Sequence, residues 1–192
     1  MPPDDGWPPE AILLPVAKRG YTRDTIRGGA SDWDVSRPFS SSVRLLSTLV
    51  AHPVRFFELL PKVTDVRAPA LFLAFSGLPA AAFWFLLAGP YPALVALVLP
   101  LPLSVTLALP YHVGALGGRH GFGVTWRTLA YPLGFALPLA AVPVLRWAVS
   151  IWAGVLLVPL GIVWTQEVPP WRGVLLGAFA ALVVAAAFLA LP

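Results

Sequence analysis

Residues 68–88 read APALFLAFSGLPAAAFWFLLA, an apolar run without a charged side chain. A helix of about 20 apolar residues crosses the roughly 30 Å hydrocarbon core of a bilayer. Four further runs of this kind follow, at about 93–116, 128–146, 149–166 and 173–191. The sequence therefore predicts an all-α fold, a polytopic helical membrane bundle of about five kinked transmembrane helices over residues 68–192. The third and fourth runs are poorly separated, which leaves open a four-span bundle with a re-entrant piece.

The composition supports a membrane protein. Hydrophobic residues make up 58% of the chain and charged residues 11%, with a mean hydropathy of +0.78. An ordinary soluble domain is about 25% charged, so this chain cannot cover itself with a water-compatible surface, and an ordinary soluble enzyme is excluded. The sequence has no cysteine, which excludes disulfides, cysteine-ligated metals and thiol catalysis.

The charges are concentrated at the start of the chain. Residues 1–67 hold nine of the thirteen basic and eight of the nine acidic side chains, so they form no dense basic patch of the kind that binds nucleic acid. With the N terminus in the cytoplasm, twelve basic residues fall on the inner side and only Arg146 on the outer side. The positive-inside rule therefore predicts a cytoplasmic N terminus and an external C terminus.

The first 67 residues divide into two parts. Residues 1–42 are rich in Pro, Gly, Ser and Asp and are predicted to be a disordered cytosolic tail. Residues 43–67 have the spacing of a short amphipathic helix broken at Pro53. We expect this segment to lie in the membrane interface, with its aromatic face at the acyl boundary and three basic side chains near anionic lipid headgroups, Arg55, Lys62 and Arg67. The alternative is that the segment packs on the protein's own cytosolic loops.

No pattern in the sequence indicates catalysis. There is no HExxH, GxSxG or P-loop motif, and His112 and His120 without nearby carboxylates make a weak metal site. We therefore predict that the protein is not an enzyme and has no cofactor. Glu167 and Arg172 are close enough in sequence to form an ion pair at the cytosolic face. Two GxxxG patterns, at 114–118 and 173–177, favour helix association with a membrane-protein partner or a second copy.

Prolines in the predicted spans indicate kinked helices, and kinked helices also occur in transporters. A small transporter or channel is therefore the alternative function. It predicts a polar cavity lined by Ser104, Thr106, Tyr111 and His112. A membrane-bound accessory subunit of an enzyme, with the tail as its tether, is a third possibility.

The segment GFGVTWRTLAYP, which begins at Gly121, is similar to the cytosolic loop and third-span entry of the Ypt-interacting-protein (Yip) membrane family. HPVRFFELLP, at 52–61, resembles the short pre-membrane segment of the same family. The resemblance implies a fold of about five helices with a cytosolic N terminus. It also implies that Gly123, Thr125, Arg127 and Tyr131 are family-like positions with a structural role.

Eukaryotic members of that family are associated with small GTPases of vesicle traffic and with membrane shaping, whereas prokaryotic members have no settled biochemical role. The chain has two lysines against eleven arginines, and Ala, Pro and Gly are abundant, which is typical of a GC-rich bacterial genome. We therefore predict a prokaryotic-type Yip protein of a bacterial cytoplasmic membrane. Its expected function is that of a membrane scaffold or bilayer-organising protein.

Overall fold

The structure is a computed structural model that describes residues 32–62 and 66–190, and the regular structure in that part of the chain is entirely helical. In chain order, the described helices begin with α1 (Pro38–Ala51), α2 (Pro53–Glu58), α3 (Arg67–Ala88), α4 (Pro90–Val98), α5 (Pro100–Gly114) and α6 (Phe122–Ala140). After α7 (Pro143–Ser150), a π-helical segment (Ile151–Leu157) leads into α8 (Val158–Gln166), and α9 (Pro170–Ala190) follows. The predicted all-α bundle is confirmed.

Within the described ranges, four helices are long and apolar enough to cross a membrane: Arg67–Ala88, Pro90–Gly114, Val144–Gln166 and Pro170–Leu189. The second consists of α4 and α5, and the third consists of α7, the π-helical segment and α8. Four of the five predicted spans begin and end within five residues of these helices. The apolar runs therefore located most of the bundle correctly.

The predicted third span, 128–146, was misplaced. The described residues therefore hold four candidate spans rather than the predicted five. The helix at this position, α6, begins six residues earlier, at Phe122, and ends at Ala140. It carries a polar run, Thr125–Thr128, and is not among the four helices apolar enough to cross a membrane. Eleven of its 19 residues are buried, so α6 is the central helix of the bundle. The prediction failed because it placed Arg127 in a loop, whereas this arginine is fully buried and pairs with an acid inside the fold.

The boundary between the tail and the amphipathic segment lies earlier in the chain than predicted. Residues 1–31 of the predicted tail lie outside the described residues, but 32–42 are ordered, and α1 begins at Pro38 rather than near residue 43. Trp33 is buried against the bundle, which fixes the chain just before α1. The break that the sequence predicts at Pro53 separates α1 from α2, and Pro53 is the first residue of α2, where its missing N–H costs no hydrogen bond.

The aromatic face of the amphipathic segment packs on the protein. Phe56 and Phe57 are fully buried, and the ring of Phe56 lies 5.9 Å from that of Tyr131 on α6. They belong to a cluster that joins α1 and α2 to the bundle, formed by Trp33, Leu45, Leu49, Phe56, Phe57, Leu60, Phe72, Tyr131 and Leu157. The expectation that these rings lie at the acyl boundary was wrong, because burying them against α3, α6 and α8 also removes them from water.

Gly161 permits the close approach of α8 to α2 and α6. A Cβ at this position would lie 2.6 Å from Phe57 Cε1 and 2.6 Å from Thr128 Cγ2, both in buried side chains. We expect Gly161→Ala to lower the free energy of unfolding by about 1–3 kcal/mol through overpacking. Thermal unfolding of the detergent-solubilised protein measures the effect.

Gly154→Ala is the matched control, because a Cβ there meets no atom within 4 Å. In a helix this substitution is expected to leave stability unchanged or to raise it by about 0.5–1 kcal/mol. Equal unfolding midpoints for the two variants would contradict the packing at Gly161.

Candidate functional site

The polar run of α6 bonds to three other parts of the protein. Thr125, Trp126, Arg127 and Thr128 are consecutive and buried. Because successive side chains of an α-helix point about 100° apart, these four side chains point in different directions and reach α5, α8 and the segment that precedes α1. We call the end of the bundle that contains this run, together with α1, α2 and the loop 115–121, the polar end.

Arg127 pairs with an acid of the segment that precedes α1. Its guanidinium Nη1 donates to Asp32 Oδ2 at 2.8 Å, and its side chain is fully buried. The other carboxylate oxygen of Asp32 accepts a hydrogen bond from the hydroxyl of Tyr131. Arg127 and Tyr131 are four residues apart and therefore share one face of α6. One helix face thus holds both oxygens of Asp32, in what we call the Asp32 cluster.

Trp33 extends the Asp32 cluster to α1. Its indole N–H donates to Ser42 Oγ at 3.0 Å, and its ring packs edge-on against Phe72 of α3 at 6.0 Å. Together, Asp32 and Trp33 attach the start of α1 to two helices of the bundle.

Thr125 joins α5, α6 and α8. Its hydroxyl accepts a hydrogen bond from Gln166 Nε2 at 2.8 Å and lies 3.0 Å from His112 Nδ1. The amide oxygen of Gln166 accepts the backbone N–H of His120 at 3.0 Å. Gln166 is fully buried, so this single side chain attaches the loop 115–121 to the end of α8.

The two remaining side chains of the run also bond between helices. Trp126 Nε1 donates to Ser104 Oγ of α5 at 2.9 Å. The hydroxyls of Thr128 and Thr165 lie 2.9 Å apart between α6 and α8. In a low-dielectric interior an unpaired polar group is costly, so these bonds fix the register of α6 against both neighbours.

Glu167 pairs with two cations at the polar end, and neither is the predicted one. Its carboxylate lies 2.8 Å from Arg119 Nη1 and 3.4 Å from Lys62 Nζ. Arg172, the expected partner, donates instead to the carbonyl of Leu116 and lies over the ring of Trp171. Glu167 adopts left-handed backbone angles (φ 53°) where α8 ends. This turn directs the carboxylate toward Lys62 and Arg119 and corrects the predicted Glu167–Arg172 pair.

The four family-like positions lie together in α6 rather than in a loop. Gly123 is the second residue of the helix, and Thr125, Arg127 and Tyr131 are buried within it. The three predicted lipid contacts do not share one environment. Arg55 and Arg67 are exposed, whereas the side chain of Lys62 is only 6% exposed and pairs with Glu167. Lys62 is therefore corrected from a headgroup contact to a member of an ion-pair group.

Sequence reasoning missed Asp32 and Gln166 and gave Trp33 no role in the fold. Asp32 and Trp33 lie in a stretch whose composition indicates disorder, and the only local signal was an acid next to a large aromatic residue. His112 bonds with Thr125 and packs edge-on against Phe122. Among the described residues, no group of three or more His, Cys, Asp or Glu side chains could hold a metal ion.

Comparison of the chain with protein-family models, with curated proteins and with solved structures gives no match. Any inference about function therefore rests on the geometry of the described residues, and the polar end is the part of that geometry described above. It consists of buried polar side chains that bond to one another between helices.

The pair between Asp32 and Arg127 is expected to stabilise the fold strongly. Asp32→Ala leaves a buried guanidinium without its carboxylate, which typically costs about 3–5 kcal/mol. We expect the double variant Asp32→Ala/Arg127→Met to be destabilised by clearly less than the sum of the two single variants, as measured by unfolding in detergent. Arg55→Met, which removes an exposed arginine, is the control and should have little effect. Additive losses would contradict the pairing.

His120 gives the polar end a pH dependence. Partial burial lowers its pKa, and the positive charges of Lys62 and Arg119 act in the same direction, whereas Glu167 opposes them. The unfolded chain therefore binds a proton to His120 more readily than the folded chain does, and stability falls as the pH drops below about 6.5. We expect the unfolding midpoint to fall between about pH 7.5 and about pH 5.5, by less in His120→Asn. Identical pH profiles for the two proteins would contradict this assignment.

Proposed function

We propose that this chain is a bacterial multi-pass membrane protein of the Yip type that organises the bilayer as a scaffold and is not an enzyme. One observation carries the proposal: α1 has three distinct faces, and one of them is an exposed apolar stripe. The Asp32 cluster holds this helix against the bundle.

The first face of α1 docks on the protein. Ser41, Leu45 and Leu49 recur at four-residue intervals and are buried. About a third of a turn away lies a second apolar stripe, which is exposed and consists of Phe39, Val43, Leu46 and Val50. The third face is polar and exposed, with Ser40, Arg44 and Ser47. A helix that faces protein, lipid and water in turn has this pattern.

The exposed stripe continues the outer surface of a membrane span. The ring of Phe39 lies 5.2 Å from that of Phe75 on α3, edge to face. Leu71 and Leu78, one turn to either side of Phe75 on the same face of α3, are about half exposed. The two helices therefore present one apolar surface, and the hydrocarbon that surrounds α3 is what covers the stripe of α1.

Because α1 is attached to the bundle, it is held at one depth in one leaflet of the bilayer. Asp32 bonds to two residues of the central helix, and Trp33 packs on α3. An amphipathic helix that is free to leave the surface can change its own depth in the bilayer. When the protein holds the helix at a constant depth, the surrounding lipids must rearrange around it instead. In this proposal α1 lies in the cytosolic leaflet, because the basic residues are concentrated in the first 67 positions. Exposed Arg44 and Arg55 are then near anionic headgroups.

The hydroxyl groups predicted to line a transporter's polar cavity donate hydrogen bonds to backbone carbonyls of the protein. Ser104 donates to the carbonyl of Leu101, Thr106 to that of Pro102 and Tyr111 to that of Gly154. His112, the fourth predicted residue, bonds with Thr125. In the described part of the chain, these four side chains therefore serve helix contacts rather than a shared polar cavity, which favours the scaffold over the transporter.

Site-specific labelling tests the position of α1. The sequence has no cysteine, so Val43→Cys and Ser47→Cys each give a full-length protein with one label. After reconstitution in phosphatidylcholine–phosphatidylglycerol vesicles, we expect acyl-chain quenchers to reach the label at residue 43 and aqueous quenchers to reach the label at residue 47. Equal aqueous quenching of both labels would overturn the interfacial position of α1.

Vesicle shape tests the function itself. We expect the wild-type protein to change vesicle size or curvature, as seen by electron cryomicroscopy, and Val43→Asp/Leu46→Asp to lose this effect while unfolding at the wild-type temperature. Ser40→Asp/Ser47→Asp adds the same charge to the polar face of α1 and should keep the effect. Unaltered vesicles with the wild-type protein, or equal remodelling by both double variants, would show the proposal to be wrong.

A further inference from the structure

A cavity of about 420 Å³ lies between α5, α6, the π-helical segment and α9. Its lining side chains are apolar apart from Tyr111 and Ser150. Both hydroxyls are already used, since Tyr111 donates to the carbonyl of Gly154 at 2.9 Å and Ser150 to that of Arg146 at 2.8 Å. The lining therefore suits a hydrocarbon rather than a polar ligand.

The cavity has a buried floor and an exposed mouth. Leu129, Ala136 and Ala153 on the floor are buried. Leu103 of α5 and Phe179 and Val183 of α9 form the mouth and are 37%, 46% and 48% exposed. Leu103 and Phe179 lie near the middle of the membrane-length helices Pro90–Gly114 and Pro170–Leu189. The mouth therefore opens sideways, at the depth where the bilayer consists of acyl chains.

The backbone around Gly154 leaves this space open. Gly154 lies in the π-helical segment, and a Cβ added to it would meet no atom within 4 Å. At Gly173 and Gly177 of α9 a Cβ would instead approach a neighbour within 2.5 and 3.2 Å. π-Helical turns are rare and occur frequently at functional sites. Here the π-helical segment and its glycine line a cavity that closer packing would have filled.

We propose that this cavity binds one acyl chain of a bilayer phospholipid. Apolar cavities of this kind stay free of water, and one of about 150 Å³ is large enough for benzene. A void almost three times larger matches a length of chain rather than a small solute. Because the mouth faces the hydrocarbon core, phospholipid chains are the molecules that meet it at the highest concentration. This site is separate from α1 and does not depend on the scaffold proposal.

Lipid retention by the full-length protein tests the site. After purification in detergent, native mass spectrometry is expected to detect about one phospholipid per wild-type chain. Gly154→Phe and the milder Gly154→Leu fill the cavity and should reduce the bound fraction at least fivefold. Ala82→Phe adds the same aromatic ring at an exposed position of α3 and should retain the wild-type amount. Two cavity-filling variants of different size keep the test valid if the larger one does not fold.

Photocrosslinking locates the bound chain. Phosphatidylglycerol with a diazirine in mid-chain, in phosphatidylcholine nanodiscs, is expected to crosslink to Leu129 or Ala136 in the wild-type protein and not in Gly154→Leu. Equal lipid retention by Gly154→Leu and Ala82→Phe would overturn the proposal. So would a retained isoprenoid in place of a phospholipid, or a second copy of the chain that fills the cavity and dissociates in the Gly154 variants.

Discussion

The buried guanidinium of Arg127 constrains the whole polar end. An arginine cannot lose its charge inside a protein, so a fully buried one requires an anion and further hydrogen bonds. Asp32 supplies the anion from 95 positions earlier in the chain. Tyr131, one turn after Arg127, holds the other oxygen of that carboxylate. The segment that begins at Asp32 is therefore part of the bundle, and this pair holds the start of α1 against α6.

The sequence predicts the spans well wherever hydropathy alone decides them. The run at 68–88 matches the helix Arg67–Ala88 almost residue for residue, because an apolar helix of that length has few alternatives. The run at 128–146 was misplaced because a charged residue usually marks the end of a span. Arg127 departs from that rule because its partner comes from a distant segment, and no local pattern in the sequence reveals such a partner. The resemblance directed attention to Thr125, Arg127 and Tyr131 as structural positions, but it gave no indication of Asp32.

Periodicity identifies an apolar face without identifying what covers it. Phe56 and Phe57 satisfied the pattern of an interfacial helix, yet they pack on the protein. Val43 and Val50 satisfy it too, and they are exposed. α1 has two apolar stripes beside its polar face, and only the tertiary structure assigns Leu45 and Leu49 to the core. For the same reason sequence reasoning treated Lys62 as a headgroup ligand, whereas Glu167, about 100 positions later, makes it part of an ion pair.

The two halves of α6 differ in composition. One half bonds to the elements that position α1, and the other half lines the cavity. From Val124 to Tyr131 every residue is buried, and four successive side chains bond to other elements. From Leu133 onward the helix carries small and apolar residues, and Leu133, Ala136, Leu137 and Ala140 line the cavity beside the π-helical segment. Directional bonds make the polar end resist deformation, while the other half is held by non-directional apolar contacts around a space. A directionally bonded end that positions α1 and an apolar end that borders a cavity are both consistent with the proposal that the protein organises the bilayer.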